Sequence, residues 1–391
     1  MTLVCQFRHS PVRDNDIDFD YLDLESAGLS APFSIEAFCG SARAGTLTTN
    51  HGPLQTPCFT SASNAAGLPE LGPDELREVG VQALVVNTAG LSHHLGAAAI
   101  AAVSDLHRFL GWGGPIIGTV GSEQIFGLTD SGGVHGRLLG VTEDGVTFAD
   151  HLDGTRRTMT PESSLAMLEA MGVDFAVPIY RAQLKPSRRT PDPELDRQWA
   201  ERAMAARSRN DCLLLMGIPI HAIQGPALAS FLTSLPGDGY AFAARPVTGL
   251  NARSEGPNGR FRHLSDDSGP LGFAQAVQGG FDCISSQAAT RAARAGLAFT
   301  FAGPVSLADG VSLLDRQPIE PGCPCYTCLN FTWPYLQHLH TAQELLAPRL
   351  LAIHNLTFFV TLARRLRTAI LEARLDSEVE EIARLYPTSG S

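Results

Sequence analysis

The stretch TPESSLAMLEAMGVDFAVPIY, residues 160–180, decides the fold class: a helical run over Pro161–Met171 gives way to the short apolar run Phe175–Ile179, which carries little internal polarity. A strand of that kind keeps no face for water, so it belongs in a sheet covered on both sides, and parallel strands are the ones buried in that way. The same unit recurs in both directions along the chain. Leu84–Val86 follows the helical stretch Pro73–Val79, Pro115–Gly118 follows Ile100–Leu110, and Leu213–Ile218 and Ala241–Ala243 continue the series. Alternation of this length predicts an α/β fold, most economically a (β/α)8 barrel of the TIM type; an open doubly wound sheet satisfies the same periodicity.

With 391 residues and 44% hydrophobic content, the chain is long enough for one large barrel or two ordinary domains. No apolar run reaches the roughly 20 residues of a membrane helix, and the first 30 residues are polar and acidic where a signal peptide is apolar. The expectation is a cytoplasmic protein with no membrane partner. A formal charge of −11 means that nucleic acid, if bound, is held by a local basic patch. Residues 1–33 show no sustained periodicity and read as an N-terminal extension, 34–310 as the barrel core, and 311–391 as a C-terminal subdomain whose helices close the barrel. The tail from Ala342 to Leu385 is strongly helical, and Arg364, Arg365, Arg367 and Arg374 read as its solvated face.

Of eight cysteines, only Cys323, Cys325 and Cys328 cluster. In CPCYTC the thiols stand at i, i+2 and i+5, a spacing that suits a tight turn around a tetrahedral ion in a reducing compartment. The fourth ligand comes from the helix that follows, where His338, His340 and His354 are candidates that spacing does not separate. Three thiolates and an imidazole close the shell of a structural Zn2+, so any chemistry lies elsewhere.

With CPCYTC followed by Tyr335, His338-Leu339, Glu344-Leu345 and His354-Asn355, the C-terminal part resembles the zinc subdomain of the tRNA-guanine transglycosylase (queuine tRNA-ribosyltransferase) family. GPLQTPCF (52–59), LVVNTAGL (84–91), LHRFLGWGGPI (106–116), DGVTFADHLDG (144–154), TPESSLAMLEAMGVDF (160–175) and TRAARAGLAFT (290–300) extend the likeness over about residues 38–385. The resemblance implies a (β/α)8 barrel with an inserted zinc subdomain and His354 as the fourth ligand. It also implies a dimer, either of identical chains or with a related subunit. It further implies exchange of a guanine in tRNA for a 7-deazaguanine through a covalent ribosyl-aspartate, with a second aspartate as general acid and base.

Against that pattern the chemical centre is altered. The family segment GVDMFDCVMPTRNARNG aligns without a gap with GFDCISSQAATRAARAG, residues 280–296, which puts Ser285 in the seat of the nucleophilic aspartate and leaves Asp282 three residues earlier. A hydroxyl with no partner base visible in the sequence is a poor substitute for a carboxylate. Thr119 falls at the general acid/base position, although a shifted register of TDSGG at 129–133 would return Asp130. Tyr180, Ala182, Ile220 and Ala243-Ala244 replace polar or small residues that read the base, whereas Thr290, Arg291 and Arg294 match the segment that touches RNA. Three readings follow, the last a purely structural or small-ligand-binding module that retains the barrel. The first is a non-catalytic or accessory RNA-binding partner. The second is an active glycosyl-transfer or N-glycosidase enzyme acting on a 7-deazapurine nucleoside or modified base through Asp130 or Asp282, in a pocket rebuilt with Glu123, Tyr180, His221 and Arg245.

Overall fold

The structure, a computed structural model, describes residues 33–62, 71–88, 90–91, 105–122, 125, 137–149, 154–181, 192–218, 226–243, 259–309, 314 and 316–387. Three strands, β1 (Phe33–Cys39), β2 (Ala42–Thr49) and β3 (Gly52–Thr56), form an antiparallel sheet that leads directly into β4 (Cys58–Ala62). Then come α1 (Pro73–Val79), β5 (Leu84–Asn87), α2 (Leu106–Leu110) and β6 (Ile116–Thr119). A second antiparallel sheet, β7 (Arg137–Val141), β8 (Val146–Ala149) and β9 (Arg156–Met159), precedes α3 (Pro161–Ala170) and β10 (Phe175–Val177). The series continues with α4 (Pro193–Ala205), β11 (Leu213–Ile218), α5 (Pro226–Ser234), β12 (Gly239–Ala243), β13 (Phe261–Ser265), α6 (Gly269–Gln278), β14 (Cys283–Ser286) and α7 (Ala288–Arg294).

Strands β4, β5, β6 and β10 to β14 pair in parallel, each with its neighbour in the chain, and β14 pairs back with β4 to close a barrel of eight. The α/β barrel expected from the alternation is therefore the fold, and the open sheet is not. Alternate residues point inward: Cys58, Val85, Ile117, Phe175, Leu215, Ala241, Phe261 and Cys283 form one buried cluster. Phe33, Leu47 and Leu54 of the first antiparallel sheet belong to that same cluster, and Phe33 meets Phe261 edge to face at 5.9 Å. The sheet plugs the end of the barrel where the strands begin, so the mouth lies at their C-terminal ends, the end at which such barrels carry their sites.

The unit quoted at the outset shows why the alternation holds locally. Thr160 caps α3: its Oγ1 accepts from the Ser163 N–H at 3.2 Å, and Ser163 Oγ accepts in return from the Thr160 N–H at 2.9 Å. Pro161 presets the first turn. Gly172, in the left-handed region at φ 71°, turns the chain back into β10.

After the hairpin β15 (Leu297–Thr300) and β16 (Gly303–Ser306), four helices complete the fold: α8 (Tyr326–Asn330), α9 (Trp333–Thr341), α10 (Leu346–Leu371) and α11 (Leu375–Leu385). Helix α10 packs on α1, α6, α7 and β4, across the seam between the last and first barrel strands. Among the described residues it is the one helix long and apolar enough to cross a membrane, yet 78% of its apolar window is buried inside the protein, as suits a core helix. The expected solvated arginine face needs correction. Arg367 donates to Glu36 Oε2 at 2.6 Å and to the Gly45 carbonyl at 3.1 Å, and Arg365 lies 4.4 Å from the Phe301 ring centre and 2.6 Å from Glu378 Oε1. Both are half-buried clamps that fasten α10 to neighbouring elements; Arg364 and Arg374 stay exposed.

Candidate active site and metal centre

Cys325 caps the N-terminus of α8, its Sγ accepting from the Cys328 N–H at 3.3 Å. That turn sets Cys323, Cys325 and Cys328 around one imidazole. His354 Nδ1 lies 3.7, 3.7 and 3.4 Å from the three sulfurs. A tetrahedral ion with Zn–S of about 2.3 Å and Zn–N of about 2.0–2.1 Å places each S···N pair about 3.6 Å apart, so the four residues fit a zinc-sized ion. His354 is fully buried, and its Nε2 lies 2.9 Å from the Phe299 carbonyl, which fixes the tautomer and leaves Nδ1 to the thiols. Next to it, Asn355 accepts from the Phe299 N–H at 2.9 Å and donates to the carbonyls of Ala289 and Leu297. The group that could hold a metal is thereby tied to α7, which springs from the barrel mouth. His340 instead packs over Gly296, where an added Cβ would meet its ring at 2.5 Å.

A second His/Asp group lies at the plugged end. His51 Nδ1 and His107 Nε2 approach opposite oxygens of Asp174 at 2.7 and 3.0 Å, and Asp174 also accepts from the Ile116 N–H at 2.8 Å. Burial pushes the Asp174 carboxyl up, but the bonds from His107, His51 and Ile116 outweigh it and hold the group below its ordinary range. The two rings stack 3.5 Å apart and 16° from parallel, so their lone pairs run side by side and do not converge on one ion. This group is a hydrogen-bonded clamp joining the β2–β3 turn, α2, β6 and β10.

Asp282 sits just before β14, at the plugged end, fully buried. Arg43 of β2 grips it with two bonds of 2.7 and 2.6 Å, and the Arg262 N–H adds a third at 2.7 Å. Ser285 lies inside β14 toward the mouth and is 1% exposed. Its Oγ stands 3.1 Å from His263 Nε2 and 3.4 Å from the Leu264 carbonyl. Burial pushes His263 down to about 4, so the imidazole is neutral at ordinary pH. His263, three positions into a strand that reads FRHLS, escaped the sequence reading; only its two-residue offset from the inward Phe261 marks it as a barrel-lining side chain.

At the rim, Asp267 accepts from Ser286 Oγ at 3.1 Å and the Gln287 N–H at 2.8 Å and pairs with Arg291 at 2.7 Å. Asp266 turns to Ser268 Oγ at 2.5 Å, and burial pushes its carboxyl up. Arg291 and Arg294 are exposed on α7, whereas Thr290 is buried with its hydroxyl on the Gln287 carbonyl. Thr119 is half-buried at the end of β6. The Tyr180 ring lies against Gly217, where any Cβ would stand 2.0 Å from it, and its N–H donates to Ser122 Oγ at 3.2 Å. Glu123, Asp130, Ala182, Ile220, His221, Ala244 and Arg245 lie outside the described residues.

A barrel with a Cys3His group fastened beside its mouth is the architecture that the resemblance implied, and residues 39–388 match the family model described as queuine tRNA-ribosyltransferase. The chain belongs to the queuine tRNA-ribosyltransferase family. Queuine tRNA-ribosyltransferases of Thermus thermophilus and Solidesulfovibrio magneticus are similar to it at 34% identity over 368 residues and 32% over 383, covering 90% and 92% of this chain and 93% and 99% of theirs. That of Desulforudis audaxviator is 33% identical over 361 residues, 87% of this chain and 94% of its own.

Proposed function

We propose that this member of the queuine tRNA-ribosyltransferase family binds tRNA, or a 7-deazapurine nucleoside or base, without forming a covalent ribosyl intermediate, as a non-catalytic or accessory subunit of a homodimer or of a heterodimer with a related chain. The observation that carries this reading is Ser285, seated 3.1 Å from a neutral His263 where the family alignment expects a carboxylate. A ribosyl ester of a carboxylate is cleaved easily because its leaving group is a weak base, of pKa about 4. A serine hydroxyl attacks well only as it gives up its proton, and the His263 imidazole beside it, pushed down to about 4 by burial, is too weak a base to take that proton, so Ser285 does not capture the ribosyl carbon. Arg291 and Arg294 are the proposed RNA contacts, Arg291 acting from its pairing with Asp267.

Cys323, Cys325, Cys328 and His354 are proposed to hold Zn2+. With four protein ligands the ion supplies folding free energy and no open position for water. The competing reading, an active enzyme with a relocated carboxylate, rests on Asp130, because Asp282 is committed to Arg43 at the other end of the barrel.

Labelled guanine and tRNA test the proposal together. The expected result is a tRNA complex that weakens as salt rises, with no label entering the tRNA. Incorporation of the label would contradict it.

A further inference from the structure

The sheet inserted between β6 and α3 has two unlike faces. Residues opposite one another on antiparallel strands share a face, so Leu138, Phe148 and Arg157 lie on one side and Arg137, Ala149 and Arg156 on the other. Leu138 and Phe148 are buried, which turns the first side toward the body of the protein. The second side meets water: its end row reads Arg137, Ala149, Arg156 across the three strands, and both arginines are exposed. Two strand spacings set their Cα atoms roughly 10 Å apart. The next row holds Thr147 and Thr158, whose hydroxyls meet at 3.1 Å.

Elsewhere in this acidic chain guanidinium groups are committed to carboxylates, Arg43 to Asp282, Arg181 to Asp196 and Arg202 to Glu162. Arg137 and Arg156 make no hydrogen bond or ion pair among the described residues, and the three strands, RLLGV, VTFA and RRTM, carry no carboxylate. Glu143 and Asp144 lie in the β7–β8 turn at the far end of the sheet. There the Glu143 carbonyl accepts from Trp199 Nε1 at 3.0 Å and the Asp144 carbonyl from Arg202 at 3.2 Å, which fastens the turn to α4 and leaves the arginine row at the free end.

The row is placed to meet something that lies over the barrel mouth. Strand β9 runs directly into Thr160, the cap of α3, so Arg156 stands four residues ahead of that helix, roughly 13 Å of strand. On the barrel wall β6, from which the sheet springs, is separated from β14, which leads to Arg291 and Arg294, by β4 and β5. The two pairs of arginines therefore flank the mouth from different sides. An uncommitted guanidinium presents its fork to phosphate oxygens. The lane between the two arginines is floored by Ala149 and offers no large apolar anchor of the kind that a protein partner needs, whereas a phosphate backbone needs none.

We propose that this face of the sheet is a second docking surface for the tRNA backbone, Arg137 and Arg156 each holding a phosphate while Arg291 and Arg294 hold the RNA on the other flank. The assignment deepens the tRNA-binding reading above and rests on it.

Full-length protein is titrated with unfractionated tRNA over a range of salt. Arg137→Gln combined with Arg156→Gln is expected to lower the slope of log K against log salt by about 1.5, and Arg137→Lys combined with Arg156→Lys to keep it. The loss should add to that of Arg291→Ala. A readout without substitution is phenylglyoxal modification of the wild type, followed by mass spectrometry. Bound tRNA should protect Arg137 and Arg156 and leave Arg108, exposed on α2 beside the clamp at the plugged end, as reactive as before. A slope unchanged in the double Gln variant, equal modification of Arg137 and Arg156 with and without tRNA, or equal protection by polyglutamate, the mark of an acidic protein partner, would overturn the assignment. Failure of the wild type to bind tRNA at all would contradict the tRNA-binding reading itself, and this surface with it.

Discussion

Asp282 and Ser285 stand three residues apart on one stretch of chain, and the barrel puts them at opposite ends of its wall. Arg43 and Asp282 are both buried, so removing the carboxylate leaves a guanidinium without its charge partner in the interior. Asp282→Ala is expected to destabilise the protein by about 3–5 kcal/mol in denaturant unfolding; a change under 1 kcal/mol would mean that the pair is not the buried clamp described here. His263 carries a pH dependence with a definite sign. Its folded-state value of about 4 lies below the ordinary 6.5, so the unfolded chain binds the extra proton. Stability due to this group is fully present above pH 6.5 and is lost as pH falls toward 4, by on the order of 3 kcal/mol. His263→Phe should flatten that limb of the stability curve, and an unchanged slope would contradict a buried neutral imidazole.

Helix α10 concentrates several demands in one element. It supplies His354 and Asn355, its Arg365 and Arg367 reach across to other elements, and its apolar face covers the barrel seam. Loss of the metal should therefore loosen more than the CPCYTC turn. Chelation, or Cys325→Ala, is expected to remove one equivalent of zinc by elemental analysis and to raise amide exchange along α8, β15 and the middle of α10; a well-folded protein with no metal would contradict this. The periodicity of this tail was plain in the sequence, because apolar residues at helical spacing report burial directly. What it could not report was the fate of the arginines. A charged residue on a helix looks the same in one dimension whether it faces water or, like Arg367, lies against Glu36, more than 300 positions away.

At the scale of the molecule, the barrel was legible because each β/α unit repeats the same local rule, and the Cys3His group because three of its ligands fall within six residues. The plug formed by β1 to β3 was not, since its Phe33, Leu47 and Leu54 enter a cluster defined only once eight strands close. The His263–Ser285 pair was hidden for the same reason: 22 positions separate the partners, and only the register of adjacent parallel strands joins them. The acidic chain must hold RNA locally, so Arg291→Ala and Arg294→Ala should each lower the salt slope of tRNA binding by about 1, and indifference to both would remove the basic patch from the account. The central claim is that position 285 cannot hold a ribose covalently. It is tested most directly by incubating the protein with tRNA and the trapping base 9-deazaguanine and resolving the mixture on a denaturing gel. The account predicts a single protein band at the mass of the free chain, and a slow-migrating protein–RNA adduct would contradict it.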